Sequence, residues 1–165
     1  MTLEIVWHIL CVPLAVAYAH IAEWLIHKYI LHGLGKNKKS SWAFHWHNHH
    51  KECRKNDNFD KGYRDGWSGP QLREKLSLIA LVLIHLPLIT VAPLFVTTLA
   101  ICAKRYYLIH KHAHLNPSWC KTHLPWHYDH HMGKNQDANW GVTVEWVDKL
   151  MGTRIKYHED DKSSA

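Results

Sequence analysis

The chain has 165 residues, 47% of them hydrophobic, a formal net charge of +6 and 17 histidines. A chain of that length makes one domain with a core of its own. Its basic residues argue against a nucleic-acid surface, because Lys36, Lys38, Lys39, Arg73, Lys75, Lys104 and Arg105 flank two apolar runs, the pattern of membrane topology. Cys11, Cys53, Cys102 and Cys120 form no C-x-x-C pair, and two of them fall inside apolar runs, so they read as free thiols.

The first apolar run covers about residues 5–22, enough to cross a bilayer core as a helix. Glu4 stands where a leader would carry basic residues, and no small-residue cleavage site follows, which argues against a cleavable signal peptide. The run continues through His32, so the pattern predicts one helix over residues 3–32 that projects from the membrane and is stopped by Gly33. Residues 33–75 are polar, and the charged stretch from Lys51 to Gly69 reads as loop or short helix on the membrane surface.

The second apolar run covers about residues 76–103. Pro87 and Pro93 lie near its middle, where a turn is needed, and both ends are basic. A hairpin is therefore predicted over a single pass, which would strand His110 and all that follows across the membrane from His27 to His50. Residues 104–165 form the rest of a cap and end in a charged tail, His158 to Ala165, expected to fray. Gly141-Val142-Thr143-Val144 could make a short strand, but the class is all-α: one long N-terminal helix and a Pro-containing helical hairpin in the membrane. A cytosolic, helical, histidine-rich cap (residues 27–60 and 104–155) completes a single domain over residues 1–165.

Four groups of histidines carry the chemistry: His27 and His32; His45, His47, His49 and His50; His110, His112 and His114; His127, His130 and His131. On a helix, residues i, i+3 and i+4 share a face, so His127, His130 and His131 converge, as do His110 with His114 and His45 with His49. His27 and His32 stand about 140° apart on an ideal helix and grip either one broad site or two metals. Ten imidazoles exceed one ion's needs, and two ions with four or five nitrogen ligands each would use them. Imidazole suits iron, copper, nickel and zinc alike. His8, His85, His123 and His158 read as structural, and His20 stands between a structural and a supporting role. Trp7, Trp24, Trp42, Trp119 and Trp126 read as interface anchors or core.

These residues resemble the fatty acid hydroxylase / sterol desaturase superfamily of membrane di-iron enzymes, which includes fatty acid 2-hydroxylases and bacterial β-carotene hydroxylases. Glu23-Trp24-Leu25-Ile26-His27-Lys28-Tyr29-Ile30-Leu31-His32-Gly33 is similar to the family's first motif in its carotene hydroxylase form, as is His49-His50 followed by Arg54, Lys55 and Phe59. His127-Tyr128-Asp129-His130-His131, Asn139-Trp140-Gly141 and Trp146-Val147-Asp148-Lys149-Leu150-Met151-Gly152-Thr153 resemble the C-terminal signature of fatty acid hydroxylases. The likeness spans roughly residues 20–155.

The resemblance implies a di-metal centre with ligands at His27, His32, His49, His50, His110, His114, His127, His130 and His131. It implies two iron ions, with zinc an alternative occupant in purified protein. It also implies O₂, a lipid substrate and an external electron donor, cytochrome b5-like or a ferredoxin with its reductase. The family's second motif is usually H-x-x-H-H, but Trp46 stands at its first position, so His45 or His47 must substitute. His45 is preferred for its helical phase with His49; His47 and His112 remain alternative ligands. Glu23, Asp129, Asn139 and Asp148 are candidates for fixing histidine tautomers. The chain is also short for the family, with no fused cytochrome b5 domain and no room for four full spans. The function so implied is hydroxylation of a fatty-acyl C–H bond, with carotenoid or sterol oxidation as the alternative and a non-redox zinc protein as the rival class. The location implied is an inner bacterial or endoplasmic reticulum membrane, with the cap in the cytoplasm. Oligomeric state is not legible.

Overall fold

The computed structural model describes residues 3–65 and 69–157, the Pro70 side chain excepted; the tail from His158 onward lies outside them. Helix α1 covers Leu3–Leu25 and runs on without a break as a π-helical segment, Ile26–Leu34. A second π segment, His45–His50, leads into α2, Lys51–Lys55. A 3₁₀ turn at Lys61–Arg64 precedes α3, Gly69–His85. The 3₁₀ turn Leu86–Thr90 then folds the chain back into α4, Pro93–Leu115. Helices α5 (Pro117–His123), α6 (Pro125–Met132) and α7 (Trp146–Leu150) follow. Among the described residues there is no strand, and Gly141–Val144 is irregular.

Proline sets three of these starts. Pro93, Pro117 and Pro125 each stand at the first turn of their helix, where the missing N–H costs nothing and the fixed φ is already helical. Asp60 caps the Lys61–Arg64 turn by accepting from Gly62 N at 2.8 Å. The first helix ends later than Gly33. It runs to Leu34 and stops at Gly35, whose N–H bonds back to Ile30 and His32 and where a Cβ would fall 1.8 Å from the Leu31 carbonyl oxygen.

α1 packs along α4 through small and medium side chains, with Cys11, Ala15, Val96, Leu99 and Ala103 buried. Close backbone approach through small residues is how helices associate where lipid removes the hydrophobic drive. Two polar ties cross the bundle: Trp7 Nε1 donates to the Val91 carbonyl at 3.0 Å, and the Tyr18 hydroxyl meets His85 Nε2 at 2.8 Å. The outward faces are apolar, with Leu3 90% and Ile84 77% exposed. Among the described residues one helix, Leu3–Leu34, is long and apolar enough to cross a membrane. The second apolar run, split between α3 and α4, adds no further span of that length and apolarity.

The segment after α6 has little regular structure and is held by buried polar groups. Asp148 accepts from Trp24 Nε1 (3.1 Å), Trp140 N (2.8 Å), Gly141 N (2.7 Å) and the Thr153 hydroxyl (2.6 Å). Glu23 accepts from Val142 N and from the backbone and hydroxyl of Thr143. Asn139 turns the chain with φ of 58°, a left-handed conformation that asparagine tolerates. Truncating the hub strands four donors in a buried place. Asp148→Ala is therefore expected to cost about 3–5 kcal/mol, the scale of an uncompensated buried network. A lowered unfolding midpoint in detergent checks it; an unchanged midpoint contradicts the hub.

Candidate metal centre

Ten histidines from four segments meet in one place, and none is more than 4% exposed. They divide into two groups. His27, His32, His45, His50 and His130 bring one nitrogen each to within 4.8 Å of all the others, and so do His49, His110, His114 and His131. His127 joins the second group, its Nε2 lying 3.1 Å from His114 Nε2.

Helix phase decides the membership. Residues five apart diverge on an α-helix, whereas the i→i+5 bonding of a π-helix brings them to one side. His27 and His32 lie in the first π segment, His45 and His50 in the second, and all four enter the same group. The sequence left the phase of His27 and His32 open between one site and two. It also paired His45 with His49, on α-helical spacing; the π phase separates them and pairs His45 with His50. The second group draws instead on α-helical spacing: His110 and His114 from α4, and His127 and His131 from α6.

Two pairs of consecutive residues split between the groups. His49 and His50 go one each way, as do His130 and His131. The groups therefore adjoin, with the His50 and His131 ring centroids 4.3 Å apart.

The outer edges of the rings fix which nitrogen faces inward. His27 Nδ1 donates to the Trp140 carbonyl at 2.6 Å, His130 Nδ1 to Ala138 at 2.7 Å and His114 Nδ1 to Asn58 at 2.9 Å. A carbonyl only accepts, so each Nδ1 carries the proton and each Nε2 presents a lone pair. His49 Nδ1 faces Asp60 at 2.8 Å, His110 Nδ1 faces Glu74 at 2.5 Å and His32 Nδ1 faces Asp137 at 3.3 Å. The Gln136 amide meets His50 Nδ1 at 2.8 Å.

The inward nitrogens lie close: His27 to His45 3.0 Å, His32 to His50 3.0 Å, and His50 to His45 and to His130 3.2 Å. Ligands about 2.1 Å from one ion, the zinc–imidazole distance, stand about 3.0 Å apart at right angles. His49 Nε2, His110 Nε2 and both nitrogens of His131 are buried without a hydrogen-bond partner among the described residues. Buried polar atoms left bare are costly, and a cation between the rings would satisfy His49 Nε2, His110 Nε2 and one nitrogen of His131. Burial first, and the neighbouring imidazoles second, hold His45, His50, His127, His130 and His131 well below their usual pKa and so neutral, as ligands must be. The residues present fit two transition-metal ions.

The four residues expected from sequence to fix tautomers act elsewhere. Glu23 and Asp148 clamp the segment after α6. Asn139 bonds both backbone groups of Ile155, and Asp129 pairs with Arg154 at 2.9 Å. Their effect on the rings runs through the backbone, since Ala138 and Trp140, on either side of Asn139, supply the carbonyls for His130 and His27. Among the side chains that do meet the rings, Asp60, Glu74, Asp137 and Gln136 lie in loops or near the start of α3, Tyr63 in the 3₁₀ turn and Cys53 in α2, and none of them stood out in the sequence as a ring partner.

His47 turns away, its Nε2 meeting the Lys36 carbonyl at 2.9 Å, and His112 packs edge-on against Trp119. His20 takes a bond from Trp146, His85 meets Tyr18 and the Leu81 carbonyl, and His123 stacks on Trp119.

A cavity of about 320 Å³ reaches His45 and His49 from below. Its wall includes Ile84 and Leu81 of α3, Leu99 of α4 and Ile30 of the first π segment, with Glu74 and Tyr63 near the imidazoles.

The family model described as fatty acid hydroxylase matches residues 12–153. No curated protein and no solved structure shows a significant match to the chain.

The neutral rings give a sign for pH. Their folded-state pKa lies below the ordinary 6.5, so the unfolded chain takes up protons first as pH falls. Stability and metal retention are thus full above that value and decline below it; retention that rises on acidification contradicts the assignment. Metal analysis of purified protein is expected to find two transition-metal ions per chain, both kept by His47→Ala and at least one lost by His130→Ala.

Proposed function

The chain belongs to the fatty acid hydroxylase family and is an oxidoreductase-type enzyme, and we propose that it is a membrane-bound di-iron oxygenase that hydroxylates a lipid acyl chain. The single observation that carries this is the end of an apolar cavity at His45 and His49, one imidazole from each metal-binding group.

Two iron ions held by these ten histidines would supply activation of O₂ and removal of hydrogen from an unactivated C–H bond. The overall balance is RH + O₂ + 2 e⁻ + 2 H⁺ → ROH + H₂O. The chain's own part is to place the substrate and keep water out. Leu81, Ile84 and Leu99 help make the cavity wall mostly apolar, which favours a hydrocarbon chain over a polar substrate. At about 320 Å³ the cavity sits at the small end of ligand sites, which favours one extended chain over a fused-ring sterol. Ile84, which lines the cavity and is 77% exposed on the apolar face of α3, supports a mouth that opens toward the bilayer. In this reading α1 spans the membrane, α3 and α4 form a hairpin dipping into it, and the histidine cap stands in the cytoplasm.

Near the site, the Tyr63 hydroxyl donates to Glu74 Oε2 at 2.7 Å and lies 3.0 Å from His110 Nδ1. Glu74 also lines the cavity, so this pair fixes the His110 ring and shapes the cavity end at once. O₂ and an external electron donor complete the reaction.

Iron-loaded protein given reductant, oxygen-18 gas and a bilayer of mixed acyl lipids is expected to yield a product heavier by one labelled oxygen, and none with His130→Ala. A labelled sterol or carotenoid instead would replace the acyl substrate, and no labelled lipid at all would return the protein to a non-redox zinc role. Filling the cavity with Leu81→Trp is expected to lower turnover roughly ten- to a hundred-fold at unchanged metal content. Equal turnover would detach the cavity from the chemistry.

A further inference from the structure

Trp46 occupies the position where the family's motif has histidine, and oxygen chemistry leaves it without a role. Its ring lies 4.9 Å from His32, edge-on, and stacks on His50 at 5.4 Å and 29°. Both belong to the first imidazole group. The opposite side of Trp46 faces outward, with Lys36 Nζ 4.9 Å from the ring centroid. There it forms the floor of a surface groove lined by Lys38, Lys51, Arg54 and Lys55 as well as Gln136, with no carboxylate in its wall.

This groove shares no lining residue with the lipid cavity. The second π segment sends His45 and His49 to the cavity, and Trp46, His47 and His50 to the groove. The cations therefore line an opening separate from the apolar cavity. Arg54 binds the groove to the centre, donating to the carbonyls of His131 and Gly133, both at 3.0 Å. Gln136 spans His50 Nδ1 and the His131 carbonyl.

We infer that this basic groove docks an acidic one-electron carrier protein, and that Trp46 is the contact through which its electrons reach the His32 and His50 side of the centre. The inference rests on the oxygenase reading. Each turnover takes two electrons, so two reduced carriers are oxidised in succession, and the two protons come from water. Charge complementarity sets the occupant: a cationic patch steers an acidic partner and raises its association rate ten- to a thousand-fold at low salt. An aromatic ring in contact with two imidazoles closes the gap between surface and centre.

The test uses the full-length, metal-loaded protein in zwitterionic nanodiscs, with a plant-type [2Fe–2S] ferredoxin as the acidic carrier and a basic c-type cytochrome as control. Wild-type protein is expected to bind the ferredoxin, more weakly as salt rises, and to ignore the cytochrome. The double variant Lys51→Glu/Lys55→Glu weakens that binding at least tenfold; Lys111→Glu/Lys121→Glu, at two positions that do not line the groove, leaves it unchanged. Trp46→Leu keeps the affinity but slows stopped-flow oxidation of bound ferredoxin at least tenfold, and Trp46→Phe restores most of the rate. Equal binding of both carriers, or indifference to the Lys51/Lys55 reversal, overturns the surface. Equal oxidation rates in Trp46→Leu overturn the conduit. Neither result depends on lipid oxidation. Salt-sensitive binding without any labelled lipid product would instead keep the surface and sink the oxygenase.

Discussion

Ten buried imidazoles, crowded so that their inward nitrogens face one another, are the constraint from which the remaining architecture follows. Neutral rings can be buried cheaply only if every nitrogen has a partner. The protein answers on the outer side with backbone carbonyls from Asn58, Ala138 and Trp140 and with acidic side chains from Asp60, Glu74 and Asp137. The inner side calls for cations. Much of the chain outside the apolar helices works on the first task. The turn at Asn139, the Asp148 hub and the Arg154–Asp129 pair aim two carbonyl groups.

The same constraint explains the two π segments. A π-helix bonds less well than an α-helix and persists where function holds it. Here it brings His27 and His32 to one side, and His45 and His50 likewise, so that two short stretches of chain deliver four rings to one group. The cost falls where α1 leaves the apolar bundle, so the long helix keeps its regular packing along α4.

Much of this was legible in the sequence because histidine spacing is a direct geometric statement. H-x₃-H on α4 obeys ordinary helix periodicity and folds as read, whereas H-x-x-H-H on α6, read as one converging face, is helical but divides, His130 facing one group and His127 and His131 the other. The first motif's H-x₄-H does not fit that periodicity, and a sequence carries no mark of a π turn. For the same reason His45 was chosen for its phase with His49, and the structure seats it beside His50 instead. The residues facing the outer nitrogens were less accessible still. Asp60 and Asp137 lie in loops, and three of the contacts come from carbonyl groups that every residue possesses. Charged residues in the signature stretches attract attention, yet Asp129 pairs with Arg154 and Asp148 holds the backbone after α6.

The splitting of neighbouring histidines has a consequence for assembly. His49 and His50 share a peptide unit, and so do His130 and His131, but each pair divides between the two groups. An ion seated in one group would therefore order the backbone that carries two of the other group's five imidazoles. The second ion meets a site whose ordering entropy has already been spent. Filling by two ions would then be cooperative.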